Sequence, residues 1–421
     1  MARSYFGTDG VRGIVGEFVT PELVEQLGKA SALWAGGGRV FIGRDTRASG
    51  EELEEAFARG VASAGGTAVV AGVVPTPAVA LLRLDLGVVI SASHNPPEYN
   101  GVKFFDGTGR KLTDAAEEEI EALLDAPAPG GGDIARVDIA AESYLEHVLD
   151  RFATDLSGLR IAVDCANGAY AGIAPEAFAQ LGAYVEAIGN EPDGTNINVG
   201  CGATDLAALQ QLVTSGQFDL GVAFDGDGDR MLAVDADGGA LDGDQIVAIL
   251  ALDLEVDVVA VTTMANLGFH KLMAEHGVRV VTTDVGDRYV LEALYREGGV
   301  LGGEQSGHII YLRDHVTGDG LAAALLLCGA LRGRTLANAA AAMERFPQAK
   351  RNVPRAGRGP LPASLVEKID EVNRELNGDA RVLVRPSGTE PVVRILAESA
   401  TEEESEALCG RIEALVNEEL G

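Results

Sequence analysis

The chain is short of basic residues, of cysteine and of long apolar runs. Lys and Arg number 33 against 64 Asp and Glu, a formal charge of −31. A surface this acidic repels nucleic acid, which is held mainly by Lys and Arg set against phosphates, and it repels an anionic membrane too. Neither is an expected partner. An anionic small substrate would need arginines gathered into a local basic pocket. The four cysteines, Cys165, Cys201, Cys328 and Cys409, are far apart with no CxxC pair, which argues against structural disulfides and a thiolate zinc site. No stretch approaches the ~20 apolar residues of a membrane helix; the run Leu321 to Leu331 predicts a buried helix instead. Met1 to Gly7 lacks the apolar core of a signal peptide, so a soluble, cytoplasmic protein is expected. There is no GxxxxGK[ST] and no GxGxxG after a strand, which removes the main support for nucleotide-binding folds.

What the chain does have is 421 residues, 47% of them hydrophobic, a length that at roughly 150 residues per domain suggests about three domains. Strand and helix patterns alternate. Val40–Gly43 leads to a helical pattern over Glu51–Ala64, and Thr67–Val70 leads to Thr76-Pro77, where proline suits a helix start. Gly87–Ile90 is a short buried strand. Such alternation predicts helices on a largely parallel sheet. Phe6–Gly13 reads as an irregular Gly-rich loop and Ala126–Asp133 as a flexible insertion, with the helical pattern Ala141–Phe152 closing a first domain at 152. A second α/β domain, 153–253, opens with Arg160–Asp164 and includes Leu220–Phe224. A third, 254–358, opens with the β-branched strand Val256–Thr263. Arg351–Pro362 reads as a linker to a smaller α+β domain, 359–421, with helices over Leu365–Leu376 and Glu402–Glu419 and strands at Arg381–Val384 and Val392–Ala397.

Four loops carry chemistry. Ser91 to Lys103 follows the strand Gly87–Ile90, and its Asn-Pro and Asn-Gly pairs favour a loop. It presents Ser93 and His94 where open α/β sheets place ligands; a simple capped turn is the plain alternative. Asp225-Gly226-Asp227-Gly228-Asp229-Arg230 sets alternate carboxylates around one point, as a hard divalent cation requires. A calcium EF-hand fails, because Arg230 stands at its sixth position and Ala236 at its twelfth. Three carboxylates with an open position suit Mg²⁺, and Arg230 beside them is aimed at an anion; an acidic turn is the alternative. In Gly302–His308, Glu304, Gln305 and Ser306 offer hydrogen bonds to vicinal hydroxyls, while His308 could be a structural histidine and the loop an ordinary turn. Arg385-Pro386-Ser387-Gly388-Thr389-Glu390-Pro391, with Arg394 beyond, combines guanidiniums, hydroxyls and backbone N–H groups into a phosphate cradle, or else a tight Pro-Gly turn. A serine nucleophile, a metal site, a hydroxyl reader and a phosphate clamp together are what phosphoryl transfer on a sugar phosphate needs.

These four motifs, in this order and over essentially the whole length, resemble the α-D-phosphohexomutase family. The markers Phe6–Gly13, Gln305 and Val285–Val290 are similar to those of its members that act on glucosamine phosphates. Ser91 stands where the family often has threonine. The resemblance implies an α/β fold of four domains around a central cleft, three similar α/β domains and a smaller α+β domain. It implies a phosphoryl group on Ser93 and one Mg²⁺ held by Asp225, Asp227, Asp229 and the phosphoserine. Its substrate would be a small sugar phosphate, its primer a hexose 1,6-bisphosphate, and its assembly at most a homodimer. Arg12 and Arg230 would stand at the reacting centre. Glu304, Ser306 and His308 would read the sugar, and Arg385, Ser387, Gly388, Thr389 and Arg394 would hold the phosphate that does not react. His94 and Lys103 are the candidates for proton transfer, and Lys103 can act as a base only if its pKa is lowered. Rival readings are a phosphomannomutase or phosphoglucomutase, a metal-dependent phosphatase and a non-catalytic sugar-phosphate sensor.

Overall fold

The computed structural model describes residues 4–7, 9–357, 359–387 and 391–420. They form two compact units, one of residues up to 262 with 281–341, the other of 263–280 with 342 onward.

Three sheets lie in the first unit, apart from Arg279 and Val280 at the start of one strand. The first is built from β1 (Val11–Ile14), β2 (Arg39–Arg44), β3 (Thr67–Val73), β4 (Leu86–Ile90), β5 (Tyr99–Asp106) and β6 (Asp133–Arg136), in the order β1-β5-β4-β2-β3-β6. The second uses β7 (Arg160–Asp164), β8 (Tyr184–Ile188), β9 (Leu220–Phe224), β10 (Met231–Asp235) and β11 (Ala240–Leu241), in the order β11-β10-β9-β7-β8. The third is β13-β12-β14-β15, from β12 (Val258–Thr262), β13 (Arg279–Thr283), β14 (Leu301–Gly303) and β15 (Ile309–Tyr311).

A common plan runs through them. In each sheet a strand in parallel pairing is followed by an antiparallel neighbour: β4 by β5, β9 by β10, β14 by β15. Both β4 and β9 are buried at every residue, as their unbroken apolar sequences require of strands covered on both faces. The loops joining the three pairs are the ones that hold Ser93, the Asp225–Arg230 run and Glu304–His308. Three of the four chemical motifs therefore sit at the same place in three versions of one architecture. Leu321–Leu331 lies in the helix Gly320–Leu331, ten of whose twelve residues are buried, and no described helix is long and apolar enough to cross a membrane. All four cysteines are free and buried.

The second unit has an antiparallel sheet of β16 (Gln348–Pro354), β17 (Arg381–Pro386) and β18 (Val392–Glu398), ordered β16-β18-β17. Its core joins Ala349, Val353, Val382, Val393 and Ile395 to Leu365 and Ile369 of one helix and Cys409, Ile412 and Val416 of another. Residues 263–280 belong here because buried polar groups tie them in. Asn266 and Phe346 exchange two hydrogen bonds, at 2.9 and 3.0 Å. Fully buried Glu398 accepts from Leu267 N–H at 3.2 Å and from Arg381 Nε at 2.6 Å, while Arg381 reaches Ala265 O at 2.6 Å.

Four local expectations are corrected. Phe6–Gly13 is not wholly a loop, since Val11–Gly13 lie in β1. Asn100-Gly101 does not end the sheet but lies inside β5, where a Cβ on Gly101 would stand 2.5 Å from Val11 O; close pairing with β1 favours glycine more than a turn does. Asp133 begins the exposed edge strand β6. Arg351–Pro354, expected in a linker, finishes β16, where alternating Ala349 and Val353 bury against β18. In each case long-range pairing overrides a local turn or loop signal.

Candidate active site

Ser93 follows β4, and its φ of 52° lies in the left-handed region. For a residue with a Cβ this costs on the order of 1 kcal/mol, which the surroundings must offset. The buried hydroxyl donates to Asp225 Oδ2 at 2.6 Å and lies 3.4 Å from His94 Nδ1. Asp225, Asp227 and Asp229, all buried, offer ligand atoms within 4.8 Å of one another. The glycines between them let the chain turn so tightly. Gly228 has a φ of 78°, and a Cβ there would stand 2.4 Å from the Tyr170 ring. Gly228→Ala is expected to cost about 2 kcal/mol through strain and overpacking. An unchanged calorimetric melting temperature would mean that the loop is not pinned on Tyr170.

The fit to a cation can be judged from these carboxylates themselves. Among the described residues, Asp227 Oδ1 and Asp229 Oδ1 are buried without a hydrogen-bond partner. Burial, then the neighbouring Asp229 and Asp227, pushes the Asp225 carboxyl up to about 8. Three buried carboxylates do not all ionise unaided; a hard divalent ion with oxygen ligands resolves both the charge and the orphaned atoms. The residues fit Mg²⁺.

Lys103, on β5, answers part of the same charge. Its Nζ lies 2.6 Å from Asp227 Oδ2 and 3.1 Å from Asp229 Oδ2. Burial opposes its charge, yet Asp227, Asp229 and Asp9 outweigh that and raise its pKa above the ordinary lysine value. In this arrangement Lys103 is a buried, charged partner of Asp227 and Asp229. His94 differs: burial, then Arg230 and Arg12, pull it down to about 4, which leaves it neutral. Among the described residues, the same two arginines each keep a buried Nε without a hydrogen-bond partner, as a site awaiting an anion would. Arg12 is also paired with Asp9.

The ionic contacts close into a ring. Lys103 lies 3.6 Å from Asp9, Lys111 2.7 Å from Asp9 and 2.6 Å from Asp287. His308 lies 3.4 Å from Asp287 and 3.7 Å from Asp229. Burial lowers the His308 pKa, but Asp287 and Asp229 together raise it. Glu304 Oε1 accepts from Gly286 N–H at 3.0 Å, its carboxyl raised by burial and by Asp287.

Sequence reading missed Asp9, Thr76, Lys111 and Asp287 as members of this cluster. Thr76 donates to Asp227 Oδ2 at 2.5 Å. Asp9 and Asp287 lie inside stretches that stood out as markers; nothing local distinguishes Thr76 or Lys111. The structure gathers Ser93, His94, Lys103, Arg12, Arg230, the three aspartates and His308. Ser306 lies exposed on its loop. In the second unit, Arg385 and Arg394 stand directly opposite each other on β17 and β18, with Ser387 buried at the strand end. Both arginines line a cavity of about 400 Å³ with Lys350 and Asn352. Gly388 and Thr389 lie outside the described residues.

Comparison with known proteins gives one answer along the chain. The phosphoglucomutase/phosphomannomutase alpha/beta/alpha domains I, II and III match residues 3–129, 142–239 and 242–346, and the C-terminal domain matches 334–415. A phosphoglucosamine mutase from Pelotomaculum thermopropionicum is 48% identical, covering 98% of this chain and 99% of its own. Others of that name are 43–47% identical. Among solved structures, a phosphoglucomutase/phosphomannomutase family protein from Burkholderia thailandensis superposes with a TM-score of 0.85 at 23% identity, over 99% and 98% of the two chains. The Aspergillus fumigatus N-acetylphosphoglucosamine mutase, solved with GlcNAc-6P and magnesium, gives 0.72 at 20% identity, over 99% and 96%.

Proposed function

The chain belongs to the phosphoglucomutase/phosphomannomutase family, and we propose that it interconverts glucosamine 6-phosphate and glucosamine 1-phosphate through a phosphoserine at position 93. It is an enzyme of the isomerase class, an intramolecular phosphotransferase. The observation that carries the chemistry is the buried Ser93 hydroxyl, held 2.6 Å from one of three clustered aspartates. The choice of amino sugar is supported by the relatives named phosphoglucosamine mutase.

Phosphoserine 93 gives its phosphoryl group to O1 of glucosamine 6-phosphate. The bond from phosphorus to Oγ breaks as the bond to O1 forms, the proton on O1 passes to the freed serine oxygen, and a 1,6-bisphosphate results. After turning around, the bisphosphate returns its 6-phosphoryl group to Oγ and leaves glucosamine 1-phosphate. A hexose 1,6-bisphosphate first loads the serine. Transfer of this kind depends on positioning and charge neutralisation more than on covalent help. Asp225, Asp227, Asp229 and the phosphorylated Ser93 would hold Mg²⁺, which when bound supplies positive charge against the phosphoryl oxygens. Arg12 and Arg230 offer their unpartnered Nε donors to the phosphoryl group, and Lys103 adds a fixed charge. His94, neutral at physiological pH, has Nδ1 placed to take or return the hydroxyl proton. Glu304, Ser306 and His308 are the proposed readers of the sugar. Arg385, Ser387, Gly388, Thr389 and Arg394 are the proposed seat of the second phosphate, which facing guanidiniums suit. The reading includes a cytoplasmic location, since sugar phosphates are charged and do not cross membranes unaided.

Glucosamine, glucose and mannose 6-phosphates assayed side by side test the assignment. Turnover of the glucosamine ester is expected to exceed the others by about tenfold or more in kcat/KM, a difference within what one substituent contributes to a polar site. Equal or better turnover of glucose or mannose phosphate would overturn the choice of sugar. Net release of inorganic phosphate would make the protein a phosphatase, and binding without turnover would make it a sensor.

A further inference from the structure

We propose that Arg47 and Asn198 are positioning residues that hold Ser93 in its left-handed conformation and so aim its hydroxyl at Asp225; the inference rests on the phosphoserine reading above. Neither residue belongs to the four motifs, and Arg47 lies 46 positions before the serine it serves.

The Arg47 side chain is fully buried and uses all five of its N–H groups. Nε donates to Asp45 Oδ2 at 2.9 Å. Nη2 donates to Ser93 O at 2.9 Å and Asn95 O at 2.8 Å, and Nη1 to Tyr99 O at 2.9 Å and to Pro96 O. One guanidinium thus binds four carbonyls of one loop, which only a rigid planar fork with five donors can do. Asn198, from the second sheet's connections, donates to the same Ser93 O at 2.9 Å and to Asn95 O at 3.2 Å. From the other side the Ser93 N–H donates to Ser91 Oγ at 2.9 Å, and Ser91 donates to Asp45 Oδ2 at 2.6 Å. The peptide groups flanking Ser93 are fixed at both ends. The aspartate loop closes the cage, because a Cβ on Gly226 would stand 2.7 Å from Ser93 O.

A strained residue persists only where its surroundings over-determine it, and such strain collects at reacting groups. Released from these donors, Ser93 would relax toward negative φ and its Oγ would swing away from Asp225. The phosphoryl group would then be delivered from the wrong place. Ground-state binding of the sugar phosphate, made by other residues, would be little changed.

Two variants test this. Asn198 itself has a φ of 59°, so Asn198→Gly removes the amide without adding strain, and its fold should be kept. Arg47→Lys keeps a cation beside Asp45 but cannot span four carbonyls. Each is incubated with glucose 1,6-bisphosphate, phosphorylation of Ser93 is followed by intact mass, and steady-state rates are measured per folded molecule. Phosphorylation rate and kcat are expected to fall together, about tenfold for Asn198→Gly and about 100-fold for Arg47→Lys, with KM within about twofold of wild type. Should Arg47→Lys not fold, Asn198→Gly decides alone. Phosphorylation and kcat at wild-type levels in folded Asn198→Gly would overturn the inference, as would a rise in KM with kcat unchanged. If wild type itself takes no phosphoryl group on Ser93, it is the phosphoserine reading that falls.

Discussion

Replacing Ser93 with alanine is expected to abolish mutase turnover, by a factor on the order of 10⁴ or more, the scale seen when a nucleophile that acts within a unit is removed. The fold should survive. Alanine and serine meet the same steric objection at a φ of 52°, and the bond given up, Oγ to Asp225, is worth on the order of 1 kcal/mol. The carboxyl left behind is already pushed up to about 8 by burial and by its two neighbours, so it can stay neutral without its donor. Intact mass after incubation with glucose 1,6-bisphosphate should show one added phosphoryl group on wild type and none on Ser93→Ala. Residual turnover above about a hundredth of wild type would be far more than the surrounding charges supply once the covalent carrier is gone, and would sink the assignment of Ser93.

Much of this site was legible because its parts sit on loops that follow unbroken apolar strands. Leu86–Ile90 and Leu220–Phe224 are buried at every position, and the chemistry-bearing residues after them are spaced by glycine or proline in ways that fit no regular element. The spacing of Asp225, Asp227 and Asp229 alone suffices to place three carboxylates around one point. Less legible was everything that depends on a distant partner. Arg47 looks like a surface turn residue after β2 until Ser93 O, Asn95 O and Tyr99 O are seen around it. Lys111 looks like a solvated lysine until Asp9 and Asp287 close on it. Lys103 was identified, but whether its pKa falls or rises depends on counting the carboxylates within reach, and there are three. The strands β1, β6 and β16 were missed for the same reason. Each has weak local preference and exists because a neighbouring strand offers it hydrogen bonds.

Lys103→Met should expose the electrostatic arrangement most directly. Lys103 is 1% exposed, and its ammonium contacts Asp227, Asp229 and Asp9. Asp9 keeps Lys111 and Arg12, so the loss falls on Asp227 and Asp229, buried beside an Asp225 that already resists ionisation. Removing one partner of a buried pair costs about 3–5 kcal/mol, because the other is left as an uncompensated charge. Melting of the variant without divalent ions should therefore begin at a clearly lower temperature than that of wild type. Adding Mg²⁺ should then raise the melting temperature of Lys103→Met more than that of wild type. The variant has lost the cation that competes for the same oxygens, and an ion that binds only the folded state stabilises it by mass action. Lys103→Arg, which keeps the charge, should lie between the two. The activity of Lys103→Met should fall about 10²-fold or more, as when one preorganised charge near a reacting group is deleted. Equal melting temperatures for wild type and Lys103→Met, both with and without Mg²⁺, would mean that Lys103 does not balance the aspartates at all. The three carboxylates would then have to be neutral in the folded protein, and a site of neutral carboxyls gives a divalent cation nothing to bind.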